Sequence, residues 1–269
     1  MSKCIAILGC GWLGLPLAIS YVRDGFKVKG STTSPEKLGL LEEAGILAYK
    51  ISLSEEAISA EIHDFLVGVD ILVINVPPKL RQRNAENYVE KMRRLHKAIK
   101  ASKTRKIIFA SSTSVYGEIE GEVTEDSVLR PSTESGRQLL ESERLFAEDS
   151  ELGATVIRFG GLLGPKRHPI HMLSGKILPT HGRVFTNLIH LNDAIRVIQA
   201  TIAHNWWNQL FNAVYPEHPF KEEYYAKEAE KRGLIPPKYK GKGSKMGKKV
   251  LSSRLIHVKK FSFNTSILS

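Results

Sequence analysis

The chain has 269 residues, 42% of them apolar, enough for one large α/β domain, alone or with a small appended lobe, around a full core. No apolar run reaches the roughly 20 residues that span a bilayer. The first strand pattern starts within a few residues of the beginning, so no secretory leader is expected and a cytoplasmic protein is. The net charge of +11 is uneven: residues 221–269 hold thirteen Lys and Arg against four Glu, a net +9, and the other 220 residues carry only +2.

Apolar runs at 3–8, 26–31, 46–51, 70–76, 105–111, 154–159 and 209–214 predict strands. Helix-period segments near 12–24, 35–44, 55–66, 84–102, 134–150 and 192–204 lie between them. Strand–helix alternation of this kind predicts a doubly wound parallel sheet of about seven strands, covered on both faces through right-handed crossovers. The expected organisation is a Rossmann domain over 1–164 and 186–215, with 165–185 and 216–269 forming a small substrate-side lobe that ends in the basic tail. Ser34-Pro35-Glu36 and Asn192-Asp193 read as helix starts.

The first strand runs into Gly9-Cys10-Gly11-Trp12-Leu13-Gly14 and then a helical pattern. Strand, glycine turn and helix in that order form a dinucleotide-binding fingerprint. Gly9 permits the tight turn, Gly11 lets the backbone approach a pyrophosphate, and Gly14 lets the helix pack on the strand. The loop N–H groups of Trp12 and Leu13 join the phosphate contacts. Cys4 and Cys10 are the two cysteines. They are expected as reduced core residues, and two thiols make no metal site.

The second strand ends in Lys29-Gly30-Ser31-Thr32-Thr33-Ser34, with no acid before Glu36. An NAD site usually places Asp or Glu there for the ribose 2′-OH, so Thr32, Thr33, Ser34 and Lys37 favour a 2′-phosphate, hence NADP over NAD. The fourth strand ends in Asn75-Val76-Pro77-Pro78, where the prolines stop the strand and Val76 and Pro77 stand beside the expected adenosine ribose. The fifth ends in Ser111-Ser112-Thr113-Ser114-Val115-Tyr116-Gly117, a run of hydroxyls able to orient a carbonyl or alcohol.

That last stretch resembles the S-S-x-x-V-Y-G segment of extended short-chain dehydrogenases/reductases, the group that includes nucleotide-sugar epimerases and dehydratases. The resemblance continues through Ile157-Arg158-Phe159-Gly160-Gly161-Leu162-Leu163-Gly164-Pro165, Asn187-Leu188-Ile189-His190-Leu191-Asn192-Asp193 and Gln209-Leu210-Phe211-Asn212-Ala213-Val214. The G-C-G-W-L-G loop, the N-x-P-P strand end and S-S-T-S-V-Y-G together are similar to the atypical YeeZ-type subgroup. The resemblance implies an NAD(P)-binding Rossmann fold. It makes Ser112 the active-site hydroxyl, with Thr113, Tyr116 and His190 as neighbours able to share an acid–base step. It places Ser111, Gly160 and Gly161 along the cofactor and makes Arg167 and His190 substrate-facing.

One departure from the family pattern is plain. The family's catalytic pair is Tyr-x-x-x-Lys on the helix after the fifth strand, and the corresponding positions here are Ser135 and Leu139. None of the eight tyrosines has Lys four residues later. Two classes of function follow: an NAD(P)-dependent oxidoreductase or epimerase with an atypical active site on a small anionic, sugar-nucleotide-like substrate, and a sensor that binds NADP(H) without turnover. The Lys/Gly stretch Lys238–Lys249 reads as a solvated loop or a rim for a small anion, with nucleic acid a distant third. His168 and His171 make no convincing metal pair with Pro169 between them. The helical segments 84–102 and 134–150 present either core or a homodimer face, which periodicity does not separate.

Overall fold

The computed structural model describes residues 3–78, 80, 86–241, 243 and 245–268. Seven strands form one sheet: β1 (Cys4–Leu8), β2 (Lys27–Thr32), β3 (Leu47–Lys50), β4 (Ile71–Ile74), β5 (Lys106–Ser112), β6 (Gly153–Phe159) and β7 (Leu210–Ala213). Their order is β7-β6-β5-β4-β1-β2-β3, and every pairing is parallel. These are the seven strands expected from the apolar runs.

The central runs, β1 and β4, are continuously apolar because both faces of the sheet are covered there. Alternate residues of one strand point to opposite sides. Ala6, Leu8, Leu72, Ile74, Ile107 and Phe109 pack in one core, and Ile5, Ile7, Ile71, Val73 and Ile108 in the other. The helices are α1 (Gly14–Arg23), α2 (Leu38–Glu43), α3 (Ile62–Leu66), α4 (Tyr88–Ala101), α5 (Glu134–Ala147), α6 (Pro169–Leu173), α7 (Leu191–Ala203) and α8 (Lys221–Glu230). Helices α4 and α5 turn Met92, Leu95, Ile99, Leu139 and Phe146 toward the first core. Helices α1 and α7 cover the second with Leu17, Ala18, Val197 and Ile198. The apolar stripes of α4 and α5 are therefore core. The chain leaves β1 for β2 on one side and returns to β4 on the other, so the switch of direction, where such folds bind ligands, lies at the carboxyl end of β1.

Three helix expectations are corrected. Of the segment 55–66 only α3 is helical. Ser54 and Ser59 bond to nearby backbone groups, and Leu53 bridges Ile58, the competition that serine side chains offer to a helix. Helix α7 is capped by His190 rather than begun at Asn192-Asp193, for its Nδ1 accepts the Asn192 N–H at 3.2 Å. Helix α8 lies where no helix was expected. Its buried Tyr224, Tyr225, Glu228 and Ala229 form a narrow, part-polar stripe that dilutes the periodic signal.

The excursion after β6 and the C-terminal segment pack on each other. Ile177–Leu178 pairs with Lys238–Tyr239, Phe185 bridges Phe220, and Ile170, Tyr224, Tyr225 and Ile267 share an apolar cluster. The basic segment is anchored at both ends, since Lys248–Val250 pairs in parallel with Gly121–Val123. Within it, Lys242 and Ser244 lie outside the described residues.

Candidate functional site

The glycine loop sits at the switch of direction, and its three glycines have different causes. Gly9 has φ +103°, and a Cβ there would stand 2.5 Å from the Asn75 carbonyl oxygen. A Cβ on Gly14 would stand 2.2 Å from the Gly9 carbonyl oxygen. Both are required by the protein's own packing. Around the Cβ position of Gly11 no atom of the described residues beyond its chain neighbours lies within 4 Å, so packing does not explain that glycine. The opening lies beside the start of α1, where Leu13 supplies no side-chain cap. The Leu15 and Leu17 N–H groups bond the Gly11 and Leu13 carbonyls, while those of Trp12, Leu13 and Gly14 have no acceptor among the described residues. Open space beside unspent donors fits the pyrophosphate of a dinucleotide.

Neighbouring strands hold the loop. Ser31 Oγ accepts the Gly9 N–H at 3.0 Å, the Ser31 carbonyl accepts the Cys10 N–H at 2.7 Å, and Asn75 Nδ2 donates to the Gly9 carbonyl at 3.0 Å. Asn75 is thus a positioning residue that sequence reasoning passed over as part of a strand stop. Cys10 is buried, and burial pushes its thiol up to about 12, so it is inert packing.

At the end of β2, Thr32 Oγ1 accepts the Ser34 N–H at 3.1 Å, and Thr33 and Lys37 are exposed. Lys29 is spent elsewhere, donating to the carbonyls of Asp64 and Val67 at 2.7 and 2.8 Å. At the end of β4, the Val76 carbonyl accepts the buried Tyr88 hydroxyl at 2.7 Å, and Pro77 is exposed.

The end of β5 divides its hydroxyls between interior and site. Ser111 Oγ donates to Glu143 Oε1 at 2.5 Å. Glu143 takes Arg158 Nε at 3.0 Å and Nη2 at 2.6 Å. Arg158 Nη1 donates to the Tyr116 oxygen at 3.0 Å, and the Tyr116 hydroxyl donates to Asn212 Oδ1 at 2.8 Å. Arg158, Glu143 and Tyr116 are 2%, 3% and 0% exposed. This places Ser111 and Tyr116 in a closed interior network, with burial raising the Tyr116 phenol above its ordinary pKa. It corrects the expectation that Tyr116 stands free to act on a ligand. Thr113 is buried as well, whereas Ser112 is half-buried. Ser112 caps the short turn Thr113–Tyr116, its Oγ accepting the Ser114 N–H at 3.2 Å. That leaves its own O–H free to donate, for no acceptor bonds it among the described residues.

The first turn of α5 rests on this segment, since a Cβ on Gly136 would stand 2.9 Å from the Ser114 carbonyl oxygen. Ser135 is half-buried beside it, and Leu139, one turn on, is part of the core. Lys248 reaches in from the C-terminal strand. Its Nζ donates to the carbonyls of Thr113 and Gly117, each at 2.8 Å. Lysine density was the signal for the basic segment, but nothing in spacing marked this one lysine as turned inward.

Gly160 and Gly161 have an internal reason to be small. Cβ atoms there would stand 2.7 Å from the Asn187 carbonyl oxygen and from Leu188 Cδ2 respectively. The close approach lets Gly161–Leu163 pair with Leu188–His190. His190 caps α7, and burial holds its imidazole below the ordinary pKa. Arg167 is exposed, its guanidinium 4.8 Å from the centre of the Trp12 ring. The Trp12 indole donates to the Pro165 carbonyl at 3.0 Å. The glycine loop and the loop after β6 are thus joined directly. His168 is not a ligand in waiting, because Nδ1 caps α6 and Nε2 contacts the Tyr224 hydroxyl and Glu228.

The model of the NAD dependent epimerase/dehydratase family matches residues 73–205. The chain is 34% identical over 263 residues to "Protein YeeZ" of Escherichia coli (strain K12), covering 97% of this chain and 96% of that protein. Its fold is similar to that of MoeE5 in complex with UDP-glucose and NAD, with TM-score 0.79, 21% identity, and 98% and 95% of the two chains covered. It is similar too to that of UDP-glucuronic acid 4-epimerase from Bacillus cereus in complex with UDP-glucuronic acid and NAD, with TM-score 0.78, 18% identity, and 98% and 95% covered.

Proposed function

Since the chain belongs to the NAD-dependent epimerase/dehydratase family, we propose that it binds a nicotinamide dinucleotide across the glycine loop and acts slowly on a sugar-nucleotide-like substrate at Ser112. The observation that carries this reading is the contrast between the filled surroundings of Gly9 and Gly14 and the open space at Gly11. Gly11, Trp12 and Leu13 present the loop to the pyrophosphate, and the end of β4 at Val76 and Pro77 flanks the adenosine half. Thr33, Ser34 and Lys37, with no carboxylate among them, favour NADP over NAD. When bound, the nicotinamide supplies two-electron exchange with a carbon–oxygen centre.

The chain's own contribution begins at Ser112. Its Oγ is fixed by the Ser114 N–H, so its proton is presented to a substrate oxygen. Proton transfer is where this chain departs from the family pattern. At the two positions corresponding to the family's Tyr and Lys stand Ser135 and a core leucine, Leu139. A serine without a neighbouring ammonium is a weak acid and a weak base, and a positioned acid–base group is worth about 10²–10⁴ in rate. Binding without turnover, as in a redox sensor, is the second reading. The closed interior network at Tyr116 favours it, because that hydroxyl is withdrawn from any ligand.

Titration of NADP⁺ and NAD⁺ into the protein, followed by UDP-glucose and UDP-glucuronic acid with the absorbance of the reduced nicotinamide recorded, tests the proposal. NADP⁺ binding with slow appearance of that absorbance supports the enzyme. Binding with no change on any sugar nucleotide supports the sensor. Tighter binding of NAD⁺ removes the NADP preference, and no dinucleotide binding at all overturns the function.

A further inference from the structure

Two lysines flank one three-residue segment beside the Ser112 turn. Val184–Thr186 is held on one side by the start of α8, with the Lys221 N–H on the Val184 carbonyl and the Thr186 N–H on the Pro219 carbonyl, each at 2.9 Å. On the other side the Phe185 N–H donates to the Met246 carbonyl at 3.0 Å, a Cβ on Gly247 would lie 3.0 Å from Val184 Cγ1, and Asn187 Nδ2 donates to the Lys248 carbonyl at 2.9 Å. Both side chains are half-buried.

The ammonium of Lys248 spends two donors on the carbonyls of Thr113 and Gly117, and an ammonium has three. The ammonium of Lys221 has no hydrogen bond and no ion pair among the described residues. Burial lowers the pKa of both lysines, and the positive charge of Lys221 lowers that of Lys248 further. Exposed Glu118 is the acid whose charge opposes this at Lys248. Of the charges on the flanking segments, Lys249 pairs with Glu122 and Arg183 lies over the Phe220 ring, while Glu222 and Glu223 follow Lys221 on α8. Cations withdrawn from water are costly unless paired, and no carboxylate of the chain pairs with these two among the described residues.

We infer that Lys221 and Lys248 form a seat for an oxyanion carried on the reacting end of the substrate. An anion on the third donor of Lys248 lies at the turn that Ser112 caps. The cofactor's own phosphates are assigned to the glycine loop on the far side of the site. The inference rests on the function proposed above and deepens it, for it requires a carboxylate or phosphoryl group close to the reacting carbon as well as on any remote diphosphate.

UDP-glucose and UDP-glucuronic acid differ by one carboxylate and make the probe pair. Calorimetry on the dinucleotide-loaded protein is expected to show at least about tenfold tighter binding of UDP-glucuronic acid, as a charge-assisted contact gives. Lys221→Met should bring that preference below about threefold, and Lys221→Arg should keep most of it. Lys248→Met should do the same as Lys221→Met, but it also frees two carbonyls. Lys221→Met, which breaks no hydrogen bond or ion pair of its side chain among the described residues, is therefore the deciding variant, with its melting temperature as the check on folding. Equal binding of the two sugar nucleotides, or a preference unchanged in Lys221→Met, overturns the seat. If neither binds, the sugar-nucleotide reading fails, and inorganic phosphate followed by ³¹P line broadening decides the seat alone. Broadening lost in Lys221→Met supports it, and no broadening, or broadening unaffected by the substitution, overturns it.

Discussion

The ends of β1 and β5 are both lined with small residues, yet they are built on opposite plans. At β1 the protein fills the space around two glycines and leaves the third open. At β5 it draws Ser111 and Tyr116 into an interior network and leaves Ser112 and Ser114 half-buried. The first is a surface shaped for something the chain does not supply. The second is an interior network with hydroxyls left at its edge. Chemistry-bearing residue types therefore do not mark a site by themselves; what matters is whether the fold has already spent them.

The sharpest way to break this comparison is within the glycine loop. Gly14→Val drives a side chain into the Gly9 carbonyl, and a loss of about 4 kcal/mol or more is expected, read by urea denaturation. A Cβ at Gly11 meets no atom of the described residues beyond its chain neighbours, so in Gly11→Val the melting temperature should stay within about 2 °C while dinucleotide affinity falls at least about tenfold. Equal destabilisation by the two would show that the opening at Gly11 is closed by the protein itself.

Arg158→Met tests the interior plan of β5. It strands Glu143 with Ser111 as its remaining partner and takes a donor from Tyr116. Breaking one side of a buried ion pair costs about 3–5 kcal/mol. A cost below about 1 kcal/mol would mean that the network is not what holds this strand end.

A third effect comes from the segment after β6 and the C-terminal segment that pack on each other. His168 is buried against Tyr224 and Glu228, and its pKa falls from 6.5 to about 4, chiefly through burial, with the charge of Arg232 adding. Between those values the unfolded chain binds a proton that the folded one refuses, so stability rises with pH across the window. It should be complete above about pH 6.5 and fall by about 2–3 kcal/mol as pH drops toward 4. His190 and His218 shift in the same direction. His168→Asn, which can still cap α6, should flatten the slope seen in denaturation at stepped pH.

The smallest structural effect is expected at Ser112→Ala. One capping bond is lost, worth about 1 kcal/mol or less. NADP(H) affinity should change less than about twofold, while any turnover falls about tenfold or more. Turnover unaffected by this change would place the acid–base group elsewhere.

The sheet was legible because its central strands β1 and β4 are unbroken apolar runs with both faces buried, and the glycine loop was legible because its spacing is set by backbone contact. What escaped was long-range. Asn75 reaches 66 residues back to Gly9, and Lys248 reaches 135 residues back to Thr113. Nothing local in N-x-P-P or in a lysine-rich stretch distinguishes such a contact from a strand stop or a wet surface. Tyr116 was misjudged for the complementary reason: a hydroxyl at a strand end looks free until Arg158 and Asn212 arrive from other strands. Helix α8 escaped because its buried face includes Glu228, a charge that pattern reading assigns to solvent.

Trp12 bonds to Pro165, 153 residues away in sequence, and carries Arg167 on its face. The other two tryptophans, Trp206 and Trp207, precede β7 at the amino end of the strands. Replacing that pair with phenylalanine leaves a single tryptophan, seated where the glycine loop meets the loop that follows β6. Its emission would then resolve the order in which the two loops are loaded, from one sample, with no attached dye and before any turnover substrate is known.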